Sequence, residues 1–326
     1  MIQPNELKLD LPMEVGNGVL STTAKVWEIL LASYNGDLDK VRRLAGECPE
    51  LIYAQYNYAP PIYFAVREGH TELVKYLLTN GAHDPDYHFY PFQESLQTVA
   101  NDRGYQEIKN LLDEYAANPL LHKFRGDNGR IFYSRNSGQN EFEKAVAEND
   151  LDKTNQILTE HPDFALDETY FWSEGILLFP AKENNRPMID LLMSYGAKVP
   201  VVLKWTQFYY FETLDGATYM MEKGMSPNTM SWQHVTILHE MAQRGYIDKV
   251  DLLIRYGADL NLIDDAYQST PLGLASRWGQ KEMVEYLLSK GADPNKAGAS
   301  WATPLSWTKK KRHAEIEETL INAGAG

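Results

Sequence analysis

Four stretches of this chain align with one another without a gap. They are PPIYFAVREGHTELVKYLLTNGA (60–82), TILHEMAQRGYIDKVDLLIRYGA (236–258), TPLGLASRWGQKEMVEYLLSKGA (270–292) and TPLSWTKKKRHAEIEETLINAGA (303–325). Thr236 to Thr270 is 34 residues and Thr270 to Thr303 is 33. A period of that length holds two short helices, and neither can bury its apolar face alone. Neighbouring units must therefore stack, which predicts an all-α repeat solenoid.

Residue chemistry fits each position of the unit. Thr at the helix start can cap free backbone N–H groups, and Pro after it sits where its missing N–H costs nothing. Gly69, Gly245 and Gly279 close the first helix, and Ala65, Ala242 and Ala275 mark close helix contact. Leu73, Val74, Leu77 and Leu78 line one face of the second helix, which Gly81, Gly257, Gly291 and Gly324 then stop at the repeat ends. With Thr270-Pro271-Leu272 and Thr303-Pro304-Leu305, the pattern resembles the ankyrin-repeat family, whose signature is T-P-L-H-x-A followed by an apolar helix ending in Gly-Ala. The resemblance implies paired helices with short β-hairpin loops, a concave face that binds partners, and a bracing role for His239 in the hairpin.

The same register finds weaker units. They lie at 27–44, 95–112, 140–158, 175–197 and 203–224, giving about nine repeats, two of them degenerate. The unit at 203–224 is short and lacks Thr-Pro. GDLDKVRRLAGECPEL (36–51) parallels NDLDKTNQILTEHPDF (149–164), which suggests two concatenated blocks. The expected organisation is an N-terminal extension over 1–23, a block of about three repeats over 24–115, an insertion over 116–139, and a block of about six repeats over 140–326. Lys123–Arg125 and Arg130–Tyr133 flank Gly126-Asp127-Asn128-Gly129, which predicts a hairpin. That insertion reads either as a spacer or as a flap over the groove. Pro180 occupies the position of Ala65 and is expected to kink its helix.

Bulk properties narrow the function. The chain's 326 residues carry 31 basic and 45 acidic groups, a formal charge of −14, which disfavours nucleic acid. No apolar run approaches the ~18 residues of a membrane span, so no membrane partner is expected. A single cysteine, Cys48, and no visible export signal give a cytoplasmic expectation. Paired CxxC motifs, a P-loop, G-x-S-x-G and GxGxxG are all missing, and no cofactor is expected. His239-Glu240 does not continue to HExxH, because position 243 is Gln. The oxygen- and nitrogen-rich loop His83–His88 reads as solvated rather than metal-binding, and Lys309–Arg312 as a solvated end face.

Aromatics make up 12% of the chain, more than an aliphatic repeat core uses. The implied family geometry gives them a place. Before the helix starts stand Tyr56, Tyr58, Phe92, Phe171, Trp172, Trp232, His234, Tyr267 and Trp301, with Glu174 just beyond the Phe171-Trp172 pair. Late in the first helices stand Arg67, Glu68, Asp102, Arg103, Lys182, Glu183, Arg244, Arg277 and Trp278. Trp, Tyr and Arg carry much of the energy at protein interfaces. The row is thus expected to form a ligand-binding groove for a protein partner. A small polar ligand or sugar held between aromatic planes is the alternative, with aromatics stacked purely for packing as the plain one. Acid–base chemistry could draw on Glu68, Asp102, Glu174 and Glu183 beside Lys182, Arg103, Arg244 and His234. The resemblance weighs toward binding rather than catalysis, and catalytic residues stay unassigned.

Overall fold

The computed structural model describes residues 1–88, 94–120, 128–205 and 208–326, the side chain of Phe208 excepted. Two compact units divide the chain: Glu6–Ser134, and Met1–Asn5 together with Arg135–Gly326.

The Glu6–Ser134 unit holds three helix pairs among its described residues. They are Thr23–Asn35 with Leu38–Glu47, Pro61–Arg67 with Thr71–Thr79, and Leu96–Arg103 with Gln106–Ala117. A side chain staples the first two pairs, as the His70 ring donates from Nε2 to the Tyr34 carbonyl at 2.8 Å. Residues expected as a plain N-terminal extension form an antiparallel hairpin, Pro12–Gly16 with Val19–Thr22. Residues 129–132 run along its other edge. Gly129 N–H donates to the Glu14 carbonyl, Glu14 N–H to Arg130, and Phe132 N–H to Pro12, each at 2.9 Å. Half of the hairpin expected in the insertion, residues 121–127, lies outside the described residues.

In the larger unit the pairs are Ser137–Ala147 with Leu151–Glu160, Leu178–Lys182 with Arg186–Ser194, Ile237–Arg244 with Ile247–Arg255, Pro271–Arg277 with Lys281–Ser289, and Pro304–Lys311 with Ala314–Asn322. The degenerate repeat replaces its first helix by a 3-10 turn, Phe208–Phe211, before the helix Leu214–Glu222. Thr236, Thr270 and Thr303 cap their helices by accepting from His239, Gly273 and Ser306 N–H at 3.2, 3.2 and 3.1 Å. Staples recur between repeats: Gln280 Nε2 donates to the Gln243 carbonyl at 2.9 Å, and His313 Nε2 to Arg277 at 3.2 Å. Gly279 shows why the turn needs glycine. Its φ is +74°, and a Cβ there would stand 2.8 Å from the His313 ring.

The expected kink at Pro180 is corrected by the helix bounds. The helix starts at Leu178, which puts Pro180 in its first turn. Backbone N–H groups there have no partner within the helix, so proline removes nothing. Ala181 N–H bonds the Leu177 carbonyl at 2.9 Å and Asn185 N–H bonds Pro180 at 2.8 Å.

Candidate functional site

The predicted row divides by burial. In the Glu6–Ser134 unit, Tyr56 is fully buried while Tyr58 is 51% exposed at a tip where Asn57 and Tyr58 both have positive φ. Arg67 is only 2% exposed. Its guanidinium lies 5.0 Å from the Phe64 ring centroid, 5.4 Å from Tyr34 and 5.5 Å from Tyr63, and pairs with Glu68 at 2.6 Å. Asp102 and Arg103 are buried too, with Arg103 Nη1 donating to the Val99 carbonyl at 3.3 Å. Desolvating a guanidinium is costly unless rings or anions replace its water, and here they do. These charges hold the repeats and face inward, contrary to a solvent-facing row. Phe92 lies outside the described residues.

Trp232 is likewise corrected. It is fully buried, and its carbonyl accepts the Ile2 N–H at 2.8 Å, so Ile2 lies at this tip. Next to it His234 Nδ1 stands 2.8 Å from Asp265, which also pairs with the Met1 amino group at 3.1 Å. Arg244 is exposed and donates at 3.2 Å to the buried carboxylate of Glu240.

The last two repeats bring several predicted residues together. Arg277, 5% exposed, lies 4.9 Å from the Tyr267 ring centroid, 4.5 Å from Trp278 and 4.7 Å from Trp307. Lys310 follows, 5.3 Å from Trp301 and 5.0 Å from Trp307. Between the cations the rings meet edge to face: Tyr267 with Trp278 at 5.3 Å, and Trp301 with Trp307 at 5.7 Å. The buried Trp307 indole donates to Ser269 Oγ at 2.8 Å. Trp278 and Trp301 are half-buried and Lys310 is exposed, so one edge of this ladder meets solvent. Sequence reasoning missed Trp307 as a member. Its signal was a tryptophan at the position where the preceding repeat has Leu274.

A second cluster surrounds Trp172. Phe171, Trp172 and Ser173 have φ of 49°, 61° and 65°, three left-handed non-glycine residues in succession. Each costs about 1–2 kcal/mol. Phe171 N–H donates to Glu143 at 2.9 Å, and Arg135 holds Glu143 at 2.8 Å while lying 4.4 Å over the Tyr170 ring. Buried Glu174 accepts the Trp205 N–H at 2.6 Å, and its carbonyl accepts the Tyr210 hydroxyl at 2.5 Å. Phe171 is buried and Trp172 is 52% exposed. Lys182 lies 5.4 Å over the Tyr209 ring, and exposed Glu183 accepts from Asn149. Three of the four carboxylates named for acid–base work thus have structural partners: Glu68 holds Arg67, Glu174 holds a backbone N–H, and Glu183 holds an amide.

A cavity of about 200 Å³ is lined by Ala165, Leu166, Asp167, Glu168, Ile176, Gly196 and Lys198, none of them in the predicted row. Among the described residues no cluster of His, Cys, Asp and Glu is arranged to hold a metal, and no helix is long and apolar enough to cross a membrane.

Comparison with known proteins agrees with this architecture. The model for ankyrin repeats in three copies matches residues 209–297, and the single ankyrin-repeat model matches 57–88. The ARF GTPase-activating protein GIT2 of Mus musculus is 34% identical over 84 residues, 26% of this chain and 12% of that protein. The Git protein of Drosophila melanogaster is 33% identical over 86 residues, 26% of this chain and 12% of its own. The 2-5A-dependent ribonuclease of Mus musculus is 34% identical over 91 residues, 27% of this chain and 12% of its own. The matches thus span about an eighth of each relative's length.

Proposed function

We propose that this chain, an ankyrin-repeat protein, is a protein–protein interaction module that holds its partner on the aromatic–cationic ladder of its last two repeats. The observation that carries the reading is the alternation of Arg277 and Lys310 with Tyr267, Trp278, Trp301 and Trp307, with one edge open to solvent. Rings already fixed by their neighbours lose little side-chain freedom when a partner docks, so more of their contact energy becomes affinity. The matched relatives support a binding role. One is named for activating a GTPase and another for cleaving RNA, and each shares only about an eighth of its length with this chain. Partial likeness to proteins with such different activities favours recognition over either chemistry. A cytoplasmic address, suggested by the lone Cys48, belongs to the same reading.

The small-ligand or sugar reading has less support. One cavity among the described residues, of about 200 Å³, is below the ~300–1,000 Å³ usual for such sites, and none of the ladder lines it. Affinity capture from native lysate with the wild type and with Trp278→Ala plus Trp301→Ala tests the proposal. The double variant is expected to lose the captured protein while staying folded by circular dichroism. Full retention of every captured protein by the folded variant would refute it. A thermal shift with a sugar or metabolite that the variant abolishes would favour the small-ligand reading instead.

A further inference from the structure

Three successive repeats leave their second helix, Leu214–Glu222, Ile247–Arg255 and Lys281–Ser289, through the same turn. Its sequences are Gly224-Met225-Ser226-Pro227-Asn228, Gly257-Ala258-Asp259-Leu260-Asn261 and Gly291-Ala292-Asp293-Pro294-Asn295. In the second and third, Asp259 Oδ1 accepts the Asn261 N–H and Asp293 Oδ1 the Asn295 N–H, each at 2.8 Å. In the first, Ser226 Oγ does this for Asn228 at a longer 3.2 Å. The asparagine side chain then reaches the next repeat. Asn228 Oδ1 accepts the Asp259 N–H at 2.9 Å, and Asn261 Oδ1 accepts the Asp293 N–H at 3.0 Å. The residue two places after the glycine therefore steadies the asparagine that ties each repeat to its successor.

Ser226 is the odd member. Its hydroxyl is neutral where its two counterparts carry a charge, and it serves the degenerate repeat, whose first helix is only a 3-10 turn. It is also exposed and stands before a proline. A hydroxyl residue before proline occurs three times in the chain, at Ser226, Thr270 and Thr303. The fold treats the three differently. Thr270 is fully buried and Thr303 half-buried, and each caps a helix, by accepting the Gly273 and Ser306 N–H. Esterifying either oxygen would break a cap. At Ser226 the oxygen closes only a surface turn. A phosphoryl group there supplies the missing anion, with a charge of about −1.5 to −2 at neutral pH and three strong acceptor oxygens. Hydrogen bonds to an ionised acceptor are roughly twice as strong as neutral ones. Asp259 and Asp293, both exposed, show that this turn takes an anion in solvent without losing its asparagine tie.

We propose that Ser226 is a phosphorylation site, at which the added phosphate tightens the joint between the degenerate repeat and the one after it. In the step, Ser226 Oγ attacks the terminal phosphorus of a nucleoside triphosphate held by a protein kinase. The bond from that phosphorus to the bridging oxygen breaks, a nucleoside diphosphate leaves, and the hydroxyl proton passes to the base of the kinase. The site uses none of the ladder residues and stands or falls separately from that surface.

The test uses the full chain, adenosine triphosphate and a proline-directed serine/threonine kinase that phosphorylates synthetic peptides of all three hydroxyl–proline segments. On the folded chain, mass spectrometry should map phosphate to Ser226 and not to Thr270 or Thr303, and Ser226→Ala should lose it. In protein labelled with nitrogen-15 asparagine, the signal lost in Asn228→Ser identifies the Asn228 backbone amide. Phosphorylation should move that amide proton downfield, and Ser226→Asp should do the same without the kinase. Both changes should raise Tm by about 1–3 °C, as one strengthened hydrogen bond would. A folded chain left unmodified at Ser226, equal modification of Thr270, an Asn228 signal that stays in place, or a Tm that does not rise would overturn the proposal.

Discussion

His239 ties its repeat to the next hairpin, and its environment makes stability depend on pH. The ring is fully buried. Nε2 lies 3.1 Å from both the Leu262 and Ser269 carbonyls, so it must carry the proton. Nδ1 is then the acceptor, 3.2 Å from the Thr236 N–H and 2.8 Å from its hydroxyl. Burial disfavours the cation and lowers the pKa from 6.5 to about 4, against the two carbonyl contacts that favour it. A second proton on Nδ1 would also face the Thr236 N–H donor. The unfolded chain takes up that proton near pH 6.5 and the folded one only near 4, so acid favours unfolding between those values. At about 1.4 kcal/mol per pKa unit, the stability is complete above pH 6.5 and falls by about 3 kcal/mol as pH drops to about 4. Urea unfolding of the wild type and of His239→Gln, from about pH 7.5 to about pH 4.5, isolates the effect. Gln is neutral throughout, and the carboxylates titrate alike in both proteins. The wild type should lose its margin over the variant progressively below pH 6.5. Parallel stability curves, or a ring titration by NMR near 6.5, would refute this account.

Two substitutions test burial directly. Trp232→Ala removes a fully buried indole and should cost about 3–5 kcal/mol, lowering Tm by roughly 10 °C, as calorimetry would register. An unchanged Tm would mean that the indole faces solvent, as the sequence alone suggests. Arg277→Ala should cost about 2–4 kcal/mol, because three rings lose the cation they pack around. Arg277→Lys should recover only part of this in denaturant titrations, since an ammonium cannot lie flat against several planes.

The repeat was legible because its punctuation is chemical. Thr before Pro, and Gly after each helix, announce boundaries that the capping bonds of Thr270 and Thr303 then obey. The hairpin at Pro12–Thr22 was equally legible and was missed. Asn17-Gly18 takes positive φ at both positions, 55° and 73°, the signature of a tight two-residue turn. Trp172 was legible as an aromatic before a helix, but its left-handed backbone was not. The residue types Phe-Trp-Ser do not favour that conformation; turn bonds such as Gly175 N–H to the Tyr170 carbonyl close it, and Glu143, 28 residues away in sequence, accepts the Phe171 N–H. Trp232 was misjudged for a similar reason, since the backbone of Ile2, 230 residues away in sequence, bonds its carbonyl.

The aromatic surplus, read as the lining of a groove, has more than one use. Arg67 and Arg277 occupy the same repeat position, and each is nearly closed to solvent. Arg67 takes its rings from Tyr63 and Phe64 in its own helix and Tyr34 in the preceding repeat. Arg277 takes Tyr267 from its own hairpin, Trp278 from its helix end and Trp307 from the following repeat. The rings come from different positions, so the shared requirement is to replace the water a buried guanidinium loses. Once a cation is fixed at the helix end, several surroundings can satisfy it, and the aromatics need not keep register. On the proposed reading, binding uses the rings that this packing leaves half-open, Trp278 and Trp301. Removing the fully buried Trp307 should cost stability first, whereas removing Trp301, which lies away from Arg277, should cost recognition first.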